Sequence, residues 1–170
     1  MNRIIEQSGF SKGSTYYYFD GKEDLFFTVL EGAMDKVLAA MGEWDAWEPA
    51  QDTWVALEEF SRRLLRIFMA DPQMSALLRA MPPTNEPMAS EALAKMYAKF
   101  DGFVVGLIAH GQRRGDVRQD LQFELLVRLL MTLFEALDRW MLAHLDEIDG
   151  ERVDELAGLV VDLTRRVAAP

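Results

Sequence analysis

Gly9-Phe10-Ser11-Lys12-Gly13-Ser14-Thr15-Tyr16-Tyr17-Tyr18-Phe19, followed by Asp20-Gly21-Lys22-Glu23, is the stretch from which the rest of the chain is interpreted. Gly9 supplies a bend. Ser11 is placed to accept hydrogen bonds from the free N–H groups of the next turn, which makes it an N-cap for a helix over residues 12–18. Ile4 and Ile5 stand at the end of an upstream helix, so the local pattern is helix, glycine turn, helix. The second helix carries Lys12, Ser14 and three consecutive tyrosines, Tyr16 to Tyr18. Hydroxyls and a positive charge suit a face that meets phosphates and base edges better than one that meets a core.

This stretch resembles the DNA-binding signature of the TetR family of bacterial transcriptional regulators, which runs approximately Gly-Val-Ser-x-Gly-Thr-Leu-Tyr-x-His-Phe-x-Ser-Lys-Glu-x-Leu. Gly9, Ser11, Gly13, Tyr16, Phe19, Lys22, Glu23 and Leu25 fall on it without a gap, while Ser14, Thr15, Tyr18 and Gly21 replace its usual residues. The resemblance implies that Ser11, Lys12, Ser14, Tyr16, Tyr17 and Lys22 contact operator DNA. It also implies a three-helix head whose first helix would precede Met1. The expectation is therefore a head lacking that helix, with weak DNA binding by the chain as it stands.

The chain has 170 residues, half of them hydrophobic, enough to bury a substantial core. No apolar run reaches the roughly 20 residues of a membrane span, and the N-terminus lacks a signal peptide's layout. No membrane association and a cytoplasmic location are expected. The absence of cysteine excludes disulfides and thiolate chemistry. A net charge of −10 argues against a surface devoted wholly to nucleic acid. Residues 1–24 hold three cations against four acids, so the acidity lies mostly downstream.

Periodicity predicts an all-α fold. Asp20 and Glu23 read as a capping box for a helix from Lys22 to Met41, with Leu25, Val29, Leu30, Ala33, Val37 and Met41 on one stripe. A second amphipathic helix spans Thr53 to Ala70, and Asp71-Pro72 ends it and starts another that stops before Pro82-Pro83. The segment 82–87 reads as a loop. A long periodic stretch, 93–108, closes at Arg113-Arg114-Gly115, with Gly102 and Gly106 inside it for close packing. Helices over 123–145 and 152–168 finish the chain. Residues 1–41 form the head and connecting helix, and 42–170 the body.

No catalytic constellation or metal-ligand spacing is present, and His110 and His144 are assigned surface or capping roles. No enzyme activity, cofactor or metal is expected. The breadth of the apolar surface on 123–145, with the 4-3-4 spacing on the last helix and Gly158 for close approach, predicts a homodimer through Leu126, Leu130, Leu156, Val160 and Leu163. The family resemblance implies an inducer pocket in the body. Trp54, Phe60, Phe68, Met96, Tyr97, Phe100, Phe103 and Phe134 are its candidate lining, within a body whose Met content suits an adaptable apolar cavity. Such a pocket is expected to enclose roughly 300 Å³ or more. The reading is a regulator, most simply a repressor, that releases operator DNA when a small apolar effector enters. The alternative is a dimeric ligand-binding or interaction protein that descends from such a regulator and does not hold DNA.

Overall fold

The computed structural model describes residues 13, 17–42, 52–80, 94–95, 97–144 and 147–170, and these contain helices and no strand. Among the described residues, six helices of eight residues or more follow in order: α1 (Lys22–Met41), α2 (Thr53–Ala70), α3 (Pro72–Arg79), α4 (Asp101–Arg114), α5 (Phe123–Ala143) and α6 (Gly150–Ala168). The expected loop at 82–87 lies outside the described residues.

Local chemistry sets the helix ends. Asp52 caps α2 by accepting from the N–H groups of Trp54 and Val55, at 2.8 and 3.3 Å. Asp71 does the same for α3, accepting from Gln73 and Met74, with Pro72 at the first helical position where no N–H is needed. The cap of α1 differs from the expected box. Gly21 is its N-cap and makes no side-chain bond, and Asp24, not Glu23, reaches back to accept from the Asp20 N–H at 3.0 Å. Gly115, at φ 83°, ends α4 in the left-handed region that glycine enters freely.

The long periodic stretch is broken. Residues 97–98 are helical, 99–100 form a turn in which the Phe100 N–H donates to the Tyr97 carbonyl at 2.8 Å, and α4 begins at Asp101. An acid at the first position and glycine at the second favour a helix start over a helix interior. Close packing falls at Gly111, not at Gly102. A Cβ on Gly102 would meet nothing within 4 Å, whereas one on Gly111 would collide with Val117 and touch the Thr53 side chain at 3.0 Å. Gly158 is likewise open.

Three apolar clusters form the interior. Leu57, Val104, Leu107, Ile108, Leu126 and Leu130 make the body core between α2, α4, α5 and α6. Leu30, Met34, Val37 and Met41 of α1 join Phe60 and Met74 in a second. Ile148, Val153 and Leu156 form a third, against Leu65, Met69 and Met141. The α2 helix takes part in all three and packs most extensively on α6, so it is the spine on which the other helices are placed.

Candidate functional site

The sequence points to a DNA-reading surface ahead of α1. Ser11, Lys12, Ser14 and Tyr16 lie outside the described residues. Tyr17 and Tyr18 are helical and 83% and 73% exposed, with their rings edge to face at 5.1 Å. Lys22 opens α1 and is exposed as well. Two large aromatic side chains held in water carry no stability of their own, and they leave hydroxyls free for phosphates or bases.

The body holds a cavity of about 150 Å³ among α1, α2, the 97–100 segment, α4 and α5. Phe60, Phe68, Tyr97, Phe100, Phe103 and Phe134 all line it, so six of the candidate residues are brought together. Met96 lies outside the described residues. Trp54 does not belong to the lining: it is buried in the body core, 7% exposed, with the Arg165 guanidinium over its ring at 5.2 Å. Its position one residue into α2 turns it toward α6, while Leu57, Phe60, Ser61, Leu64, Leu65 and Phe68 face the cavity. The Phe60 and Phe103 rings are stacked with centroids 3.5 Å apart. The expected volume of roughly 300 Å³ is not reached, which counts against an ordinary ligand pocket and leaves room for a slim occupant only.

Two features of the lining escape a reading of apolar periodicity. One is Met34, which α1 contributes to the wall. The other is Asp138 on α5, which lies on the cavity row with Phe134, Leu137 and Met141. Asp138 accepts a hydrogen bond from the Tyr97 hydroxyl. Burial, with the Glu135 carboxylate nearby, pushes the Asp138 carboxyl up to about 7. Burial raises Tyr97 as well, so its phenol stays protonated. The signal was an acid in step with apolar residues at spacings of three and four.

The segment that carries Tyr97 and Phe100 is tied to α1. Lys99 pairs with Asp35 and, at 3.4 Å, with Glu31.

The expected interface residues need correction. Leu126, Leu130, Leu156 and Val160 are 0%, 1%, 4% and 9% exposed inside a single chain, and Leu163 is half-buried. They face this chain's own core because α5 and α6 first satisfy each other and α2. Among the described residues of α5 and α6, the large apolar side chains left in water are Leu125, Leu129 and Trp140 on α5 and Leu159 on α6, each 40–46% exposed. His144 ends α5 as a cap: its ring stacks on Trp140, and Nδ1 donates to the Trp140 carbonyl at 2.8 Å. His110, expected in a surface or capping role, is buried beside Gly111 on α4.

Comparison with known proteins agrees with this arrangement. Residues 1–29 match the family model of bacterial regulatory proteins, tetR family. An uncharacterised HTH-type transcriptional regulator, YfiR of Bacillus subtilis, is 30% identical over 60 residues, which are 35% of this chain and 28% of that protein. The transcriptional regulator FadR of Bacillus subtilis, solved in complex with stearoyl-CoA, superposes with a TM-score of 0.71 at 15% identity, covering 96% of this chain and 85% of that one. A TetR transcription regulator from Haloarcula marismortui superposes with a TM-score of 0.62 at 19% identity, over 93% of this chain and 85% of that one. No described helix is long and apolar enough to cross a membrane. Residues 1–29 thus carry the signature of the tetR-family model, and the chain shares the all-α fold of the solved transcriptional regulators on which it superposes.

Proposed function

We propose that this chain is a cytoplasmic, homodimeric regulator, and not an enzyme, that holds operator DNA and releases it when a slim, largely apolar ligand fills the body cavity. Residues 1–41 would be the head and its connecting helix, and 42–170 the body. Ser11, Lys12, Ser14, Tyr16, Tyr17 and Lys22 are the proposed DNA contacts. Phe60, Phe68, Tyr97, Phe100, Phe103 and Phe134 are the proposed ligand contacts. The observation that carries the proposal is that Met34, in the helix that follows directly on the DNA-reading signature, is a wall of the cavity. A ligand that displaces Met34 acts on the helix that positions the reading surface. The stearoyl-CoA bound to FadR supports a long apolar chain as one class of occupant on this architecture.

A fluorescence-anisotropy titration of DNA from upstream of its own gene, with and without ten-carbon alkyl compounds, tests this. Affinity should fall steeply with salt because phosphate contacts dominate it. Lys22→Ala should weaken all sequences alike, by about 1 kcal/mol or less at an exposed site. An alkyl compound should lower DNA affinity at least about fivefold, the low end of ordinary allosteric coupling. DNA affinity unchanged by every compound that binds the body would refute the coupling.

A further inference from the structure

We infer that the body cavity takes a monocationic amphiphile, an alkyl chain ended by an amine or quaternary ammonium, whose charge rests against the Asp138 carboxylate and the surrounding aromatic rings. This rests on the reading of the cavity as an effector site and names the chemistry of the effector.

The cavity wall is apolar with one charged group among the described lining residues, and that group is an acid. No Lys, Arg or His of the described lining faces Asp138. Its neighbours are the Tyr97 hydroxyl, which donates to it, and the Glu135 carboxylate on its own helix, which adds negative potential. Arg139, on the same helix, is exposed to solvent, outside the described lining, and its charge reaches Tyr97. An anionic head, whether a carboxylate or the phosphates of an acyl-CoA, would meet a like charge in a poorly solvated place. A cation would meet its opposite. The tyrosine bond occupies one lone pair of the carboxylate and leaves further acceptor capacity. Five phenylalanine rings, Phe60, Phe68, Phe100, Phe103 and Phe134, line the same cavity and offer the negative faces that quaternary ammonium groups seek.

The position of the Asp138 titration near 7 adds a signature. A cation binds the ionised carboxylate, so its affinity rises as pH climbs through 7 and levels off above it. Calorimetric titration of the whole chain with decyltrimethylammonium, decanol and decanoate reads this directly, because the first keeps its charge at every pH. The cation should bind at least tenfold more tightly than decanol at pH 8, with decanoate weakest. Its affinity should rise about tenfold from pH 6 to pH 8, the ratio of ionised carboxyl at the two pH values. Asp138→Asn should abolish both the preference and the pH slope, and leave decanol binding within threefold. Decanoate or decanol binding as well as the cation, or an unchanged preference in Asp138→Asn, would overturn the cationic assignment and leave the effector site standing. Failure of all three chains to bind would overturn the effector site itself. The pH slope belongs to the unaltered protein, so it decides the matter even where Asp138→Asn does not fold.

Discussion

Asp116 shows how a single carboxylate joins two distant stretches of chain. It accepts from the Thr53 hydroxyl at 2.8 Å, from the Thr53 N–H at 3.3 Å and from Arg114 Nε at 2.9 Å, so the first residue of α2 is pinned to the turn after α4. Thr53 is fully buried. The Thr53 hydroxyl, opposed by partial burial and assisted by Arg114, holds the Asp116 carboxyl below the usual range. A depressed folded-state value stabilises the fold above the unfolded carboxylate value near 4, and that contribution is lost as pH falls through the folded value. Asp116→Ala should therefore cost about 1–3 kcal/mol at pH 7, the cost of orphaning buried donors, and much less near pH 3. Urea melts at the two pH values measure it, and an equal loss at both would refute this account. Nothing in Gly-Asp-Val at 115–117 announces this clamp, because the partner is 63 positions away. Sequence reads contacts within a helical turn; it does not read which distant residue completes a hydrogen bond. The same limit explains Trp54, whose aromatic character suggested the pocket while its place on the helix put it under Arg165.

Among the elements, the turn at 99–100 is the one most tied to the proposed release of DNA. It separates Tyr97 from α4, places Tyr97, Phe100 and Phe103 in one wall, and aims Lys99 at two acids of α1. In the proposed mechanism, an occupant that shifts Tyr97 and Phe100 pulls on Lys99, and through it on α1, which follows the proposed DNA contacts in sequence. The pairs are partly exposed, so their net worth to stability is under about 1 kcal/mol. Lys99→Ala should lower the melting point only slightly and keep ligand affinity within roughly threefold, a change below 1 kcal/mol. The ligand-induced loss of DNA affinity should shrink at least about fivefold. Parallel calorimetry and anisotropy titrations separate the two effects, and intact coupling in the variant would rule out this route. The helices themselves were legible: α2, α3, α5 and α6 lie within a few residues of where stripes, Asp caps and Pro72 put them. The break before Asp101 was not, because the apolar spacing continues across it and only Asp101-Gly102 marks the new start.

For the whole molecule, the question is which faces of α5 and α6 a second copy would cover. Periodicity names apolar positions without saying which core they enter, and here the chain claims Leu126, Leu130, Leu156 and Val160 for itself. What remains in water is a second row on α5, Leu125, Leu129 and Trp140, at spacings of four and eleven, with Leu159 on α6. Three large apolar side chains along one line of a helix are more than the scattered exposure an ordinary surface shows. Gly158, with open space above it, would let a partner helix approach next to Leu159. The Trp140 ring is further held in place by the His144 stack, so little side-chain freedom is lost when a partner covers it. Two copies meeting on these faces would present paired reading helices to successive major grooves, roughly 34–36 Å apart. Leu129→Asp should therefore leave the melting point within about 5 °C, since a half-exposed site costs the monomer little, but convert a micromolar dimer to monomer in sedimentation. Leu126→Asp should instead unfold the chain, because it puts an unpaired charge into the body core. DNA affinity should fall with dimerisation in Leu129→Asp, by at least about tenfold, because one head then binds without its partner. A Leu129→Asp protein that remains dimeric and binds DNA as before would place the interface elsewhere.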